Sequence, residues 1–154
     1  HKGVIPDISF PSAIDPAEWG ESKQDNALPW DSIVRARYQE MGDLKPIITY
    51  LDKQHAQRIQ SEPEFNYVFE DITRYNEEKD RKTISLVEAQ RIKEKDENEA
   101  RALVRTNERL ARLGEKPIEN LDDVPEVIEK LDPFLEEAAL ITQDYIKYGR
   151  IAKK

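Results

Sequence analysis

Asn26-Ala27-Leu28-Pro29-Trp30-Asp31 is an apolar, aromatic hexapeptide set in a stretch that a regular helix cannot occupy. Five of the nine prolines, three of the five glycines and both tryptophans (Trp19 and Trp30) fall within the first 46 residues. Proline fixes its own φ and pushes the preceding residue out of the helical region, so this lead-in is expected to be extended or turned, with room for a short strand. Yet Val4, Ile5, Ile8, Phe10, Ile14, Trp19, Leu28, Trp30 and Ile33 are too many apolar groups for a solvated linker. Linkers are poor in aromatics because they have nothing to bury them against. The lead-in is therefore expected to dock onto something, with Leu28, Pro29 and Trp30 as the interdomain packing residues.

Composition bounds the rest. A chain of 154 residues is one domain by length. It is 36% charged and 38% hydrophobic, which suits long solvent-facing helices with narrow apolar stripes. The formal net charge is −8; the first 42 residues hold seven acids and four bases, so the acidity is spread along the chain and not gathered in a tail. Binding to a phosphate backbone needs clustered cations, so a nucleic-acid partner is disfavoured. The absence of cysteine removes disulfides, zinc–thiolate sites and thiol nucleophiles. No apolar run approaches membrane-spanning length. A chain that opens on His1 reads as processed or as a piece of something longer.

From Asp43 the pattern becomes helical, which divides the chain into a lead-in over 1–42 and a helical domain over 43–154. Asp43 reads as an N-cap, with Pro46 in the tolerant first turn and Ile47, Ile48, Leu51 and Ile59 along one side. Ser61-Glu62-Pro63-Glu64 has the spacing of a capping box opening a helix whose inner face is Phe65, Val68, Phe69, Ile72 and Tyr75. That helix frays toward Lys82, with Glu77–Arg81 and Glu78–Lys82 at i,i+4. Thr83-Ile84-Ser85-Leu86 reads equally as an extended piece or a helix start, and Ser85 with Glu88 makes a second capping box. The helical pattern then runs to Leu113, its length leaving open a break near Asp96–Asn98, and Gly114 stops it. Leu121 to Leu131 is a loop or short helix. Asp132-Pro133 opens the last helix, with Gly149 at its end. The fold class is mainly α: about four helices behind an extended, Pro-rich lead-in.

Catalytic chemistry is hard to assemble from these residues. Of two histidines, His1 is terminal and His55 is mid-helix, expected to be partly exposed and structural, with no identifiable partner. No serine lies in a G-x-S-x-G elbow or an S-x-x-K pair, and Ser61 and Ser85 are better used as caps. The carboxylates, among them Glu94, Asp96, Glu97, Glu99, Asp122 and Asp123, read as solvated faces, without the alternating ligands and glycine of a calcium loop. Isolated Gly3, Gly20 and Gly42 make no phosphate loop. Arg101, Arg105, Arg109 and Arg112 form a basic stripe, expected to be neutralised in part by Glu97–Arg101 and Glu108–Arg112. Asn107 falls in the apolar seam of the same helix, where a polar residue fixes register against a partner. The residues thus describe a non-catalytic helical module, with no catalytic, cofactor-binding or metal-binding residue.

His1-Lys2-Gly3-Val4-Ile5-Pro6-Asp7-Ile8 resembles the end of the protease core of tail-specific (carboxy-terminal processing) peptidases of the Prc/Tsp type. Asn26 to Trp30 with Asp31-Ser32-Ile33 resembles the segment that follows that core. Lys79 to Leu86, Arg105 to Arg109, Leu121 to Asp123 and Asp132 to Ala138 are further matches. The resemblance implies a periplasmic parent enzyme, a serine endopeptidase with a Ser/Lys dyad and a PDZ domain that recognises protein substrates with apolar C-termini. The dyad and the PDZ domain have no counterpart among these residues, so no catalytic residue is carried over and the fragment is expected to be inactive alone. It implies an accessory domain that packs on the protease core and PDZ domain of its own chain, shapes substrate access and offers a surface to an adaptor protein. The alternative is a freestanding helical protein-binding scaffold or adaptor.

Overall fold

A computed structural model describes residues 6–14, 20, 23–28, 34, 36–37 and 44–151. Among the described residues there are five α-helices and no strand: α1 (Lys45–Ser61), α2 (Pro63–Lys79), α3 (Glu88–Leu113), α4 (Glu126–Glu129) and α5 (Pro133–Ile151), with a 3-10 turn at Leu121–Asp123. The mainly α expectation holds.

Several helix ends differ from the sequence reading. Asp43 lies outside the described residues; α1 begins after Leu44, with Pro46 in its first turn and no side-chain cap. Ser61 does not cap α2. It is still helical, and its hydroxyl donates back to the carbonyls of Gln57 (3.3 Å) and Arg58 (3.0 Å). Only Glu62, at φ −82° and ψ 119°, separates α1 from α2, and Pro63 supplies the preset φ of the first helical position. Ser85 makes no capping box either. Its hydroxyl accepts the Val87 N–H two residues on (3.2 Å), which keeps the chain out of helix until Glu88. Gly149 does not end α5, which runs to Ile151; glycine weakens a helix without proline's clash.

The 26 residues of α3 run unbroken through Asp96–Asn98. Its N-terminal half buries almost nothing, and local pairs sustain it: Arg91–Glu94 at 2.5 Å, Lys95–Glu99 at 3.5 Å and Lys93–Glu97 at 3.8 Å. Arg81 pairs with Glu94 at 3.1 Å, lying across the extended segment and not back onto Glu77. That hydrogen bond, with the charges of Arg81 and Arg91, holds the Glu94 carboxyl below its ordinary range. Gly114 closes the helix at φ 76°, its N–H reaching the Ala111 carbonyl (3.1 Å) while Glu115 N–H reaches Leu110 (2.9 Å). This is the double closure that a left-handed residue permits.

The described residues fall into two compact units, one up to Asp80 together with those from Pro133 onward, the other Arg81–Asp132. In the first, α1 and α2 form a hairpin, and α5 runs antiparallel to α1, so that Tyr50 meets Tyr148 (centroids 5.2 Å) while Arg58 meets Glu137. In the second, the chain after Gly114 folds back along α3. Leu110, fully buried, and Ile128 form its apolar centre beside buried Thr106. Asn107 secures the return by donating to the Ile118 carbonyl (3.0 Å) and accepting the Ile118 N–H (2.8 Å). It therefore sets the register of its own chain, through a loop and not a partner helix.

Candidate functional site

The first unit is unusual in what it buries. Among the described residues its buried apolar side chains are Leu51 and Phe65, beside three buried polar ones, His55, Glu137 and Asp144. His55 and Arg58 lie three residues apart on α1, and Glu137 and Asp144 seven apart on α5, so each helix presents both groups on one face. Arg58 joins them. Its Nε donates to Glu137 Oε2 (2.9 Å) and Oε1 (3.0 Å), Nη2 donates to Oε1 (2.7 Å), and Nη1 donates to Asp144 Oδ2 (2.5 Å). His55 Nδ1 lies 2.9 Å from Glu137 Oε1. An ionised carboxylate only accepts, so Nδ1 carries the proton.

Burial pushes the Glu137 carboxyl upward, but the hydrogen bonds from Arg58 and His55 and the guanidinium charge outweigh it, leaving the carboxyl below its ordinary range. The Glu137 hydrogen bond in turn raises Arg58 against its own partial burial. Charges taken out of water persist only when paired and hydrogen-bonded; the network surrounds the Glu137 carboxylate with donors and pairs Asp144 with Arg58.

Phe10 of the lead-in closes the cluster. Its ring stands edge-on to His55 (5.1 Å), stacks on Phe65 (6.2 Å, 9° between planes) and meets Phe134 at 5.5 Å. Phe65 and Phe134 are also in contact at 5.5 Å, so the ring that stands against the imidazole is itself held by two others. His55 is 3% exposed, against the expectation of partial exposure, and its partner is Glu137 from the far end of the sequence. Its Nε2 is buried and has no hydrogen-bond partner among the described residues. A nucleophile-activating imidazole needs a hydroxyl or thiol within hydrogen-bond reach, and none is there among the described residues. The guanidinium between the two carboxylates also closes the space a cation would need; among the described residues no His, Asp and Glu group is arranged to hold a metal. The cluster acts as a clamp between α1, α5 and the lead-in.

The other residues singled out in the sequence lie elsewhere. Leu28 is 81% exposed, and Pro29 and Trp30 lie outside the described residues. In the arginine stripe, Arg101 donates to Asn98 Oδ1 (3.2 Å), while Arg105, Arg109 and Arg112 are each engaged with other groups.

A family profile described as the C-terminal domain of tail-specific protease matches residues 14–147. This chain belongs to that family. The tail-specific protease of Haemophilus influenzae is 43% identical over 151 residues, covering 96% of this chain. The chain spans only 22% of that relative's length. Phe10 stands ahead of the matched range, yet its half-buried ring packs against residues of three helices of this C-terminal domain. Among the described residues, no helix is long and apolar enough to cross a membrane.

Proposed function

We propose that this chain is the helical accessory domain of a periplasmic carboxy-terminal processing serine endopeptidase, non-catalytic by itself, which packs on the protease core and shapes access of substrates to it. The observation that carries this reading is the seating of Phe10. Residues 1–42 are taken as the end of the protease core with a linker, and 43–154 as the accessory domain. On that division the wedge of Phe10 between His55, Phe65 and Phe134 fixes the accessory domain to the end of the core as a rigid attachment. A rigidly held helical wall can restrict which chains reach a dyad; a tethered one cannot.

Leu28, Pro29 and Trp30 are proposed to add a second contact with the core, the exposed Leu28 side chain being free to meet it. The substrates are proteins with apolar C-termini presented by a PDZ domain of the same chain, and an adaptor protein is a further partner. The test compares the intact protease with a version lacking residues 43–154, using peptides and folded proteins with apolar C-termini. The expected result is altered cleavage and altered preference after deletion, with no hydrolysis by residues 1–154 alone. Unchanged cleavage after deletion, or hydrolysis by the isolated domain, would refute the assignment.

A further inference from the structure

Residues 81–87, between α2 and α3, carry no regular secondary structure, and Ile84, Leu86 and Val87 are 65%, 95% and 61% exposed. Among the described residues, the backbone of 82–86 enters no hydrogen bond. Endopeptidases act on accessible stretches of this kind, whereas a helix must first unwind. Between 44 and 151, the basic residues outside the helices are Arg81, Lys82, Lys116 and Lys130. Three of them are poor places to cut. Lys116 is followed by Pro117, whose ring removes the N–H and fixes φ, so that bond resists such enzymes. Lys130 pairs with Glu126 at 2.7 Å, and the Leu131 N–H after it donates to the Ile128 carbonyl at 3.2 Å. Arg81 is engaged with Glu94 at 3.1 Å. Lys82 is exposed and has no ion pair among the described residues.

We propose that the Lys82–Thr83 peptide bond is a processing site for an endopeptidase that selects a basic residue before the bond it cuts, and that the product stays assembled. The Lys82 ammonium suits an acidic specificity pocket of the trypsin kind. Water is the co-reactant. The C–N bond breaks, the hydroxyl goes to the Lys82 carbonyl carbon and the hydrogen to the Thr83 nitrogen, leaving a carboxylate and a new amino terminus. Cleavage leaves α1 and α2 on one piece and α3 to α5 on the other. The two pieces then meet through α5: Arg58 holds Glu137 and Asp144, and Phe10 and Phe65 pack on Phe134. A clamp that closes one chain becomes the joint between two.

The test adds trypsin to the intact protease at neutral pH and follows new termini by mass spectrometry. Within 44–151, Thr83 is expected to be the first new amino terminus. Lys82→Gln should slow the first cut in 81–87 by about three-fold or more, leaving the cut after Arg81, and adding Glu94→Gln should recover the rate by releasing Arg81. Gel filtration of the cut protein reads the second half of the proposal: the two pieces should co-elute. A first cut elsewhere in 44–151, or a Lys82–Thr83 bond that survives as long as the helices do, would overturn the site. Separation of the pieces at neutral pH would overturn the assembled product. Neither result depends on whether deletion of residues 43–154 alters cleavage of substrates, so the accessory-domain reading stands or falls separately.

Discussion

Arg58 grips Glu137 along one edge of its guanidinium, with Nη2 2.7 Å from Oε1 and Nε 2.9 Å from Oε2. The remaining nitrogen, Nη1, is left to reach Asp144, so a single side chain of α1 spans two turns of α5. Lysine could not do this, since an ammonium offers one point charge where the planar fork offers two edges. The antiparallel pairing of α1 and α5 thus depends on polar geometry as much as on apolar burial, and the clamp is what joins the two helices.

The two carboxylates are unequal. Glu137 receives four donor contacts and is nearly sealed from water, while Asp144 receives one from Arg58 and a looser approach of Lys147 at 3.9 Å. Breaking a buried pair costs about 3 kcal/mol when a charge is left unmatched, so Glu137→Gln is expected to lower stability by about that much. Asp144→Asn is expected to cost about 1 kcal/mol, the scale of a single hydrogen bond. Urea unfolding of the two variants checks the order; equal losses would contradict it.

Acid should loosen the same clamp. The folded Glu137 carboxyl is held below its ordinary value of 4.5, so the folded state binds fewer protons than the unfolded one between the two values. Its contribution is complete above about pH 4.5 and is lost as pH falls through the depressed folded value. The expected measurement is a stability that declines below about pH 4.5 in the native sequence, with a shallower decline in Glu137→Gln, where that titration is absent. Superimposable pH profiles would show that another group governs the acid limb.

Phe10→Ala removes the ring that packs on His55, Phe65 and Phe134. The ring is only half-buried, so the expected loss is about 1.5 kcal/mol, below the full cost of truncating a core phenylalanine. Amide exchange distinguishes the seat from a passive contact: protection should fall in α1 around His55 and at the start of α5, with α3 unaffected.

Gly114→Ala tests the closure of α3. The residue sits at φ 76°, and a methyl group there would meet no atom within 4 Å, so the only penalty is the left-handed backbone itself. The expected loss is about 1 kcal/mol. Asparagine, which tolerates that conformation better, should recover part of it in the same unfolding measurement.

The helices were legible because their signals are local. Pro63 and Pro133 stand at first helical positions, Gly114 takes the left-handed stop, and Phe65 and Leu110 fall on the inner face of their helices. The clamp was not. His55 and Arg58, or Glu137 and Asp144, share a helix face in the sequence, but with 32 acids and 24 bases the same spacings recur on solvated faces. What distinguishes them is a partner 79 to 86 residues away, which periodicity does not carry. Ser61 and Ser85 show a smaller version of the problem. Each fits a capping box, and whether the hydroxyl serves the helix ahead or the chain beside it turns on where the neighbouring helix ends, one or two residues either way.

Asn107 offers the sharpest test of the second unit. The Ile118 amide can only donate and its carbonyl only accept, so the backbone dictates both the orientation of the Asn107 side chain and the need for an amide there. Asn107→Asp keeps the acceptor for the Ile118 N–H and turns the donor into a second acceptor facing the Ile118 carbonyl. Asn107→Ala leaves both backbone groups unmatched. Each is expected to cost about 1–3 kcal/mol, the penalty of stranding a part-buried polar group. The discriminating readout is amide exchange at Ile118: it should accelerate strongly in the alanine variant and less in the aspartate variant, which still holds the N–H. Protection unchanged in both would mean that the return of the chain onto α3 is secured by Leu110 and Ile128 alone.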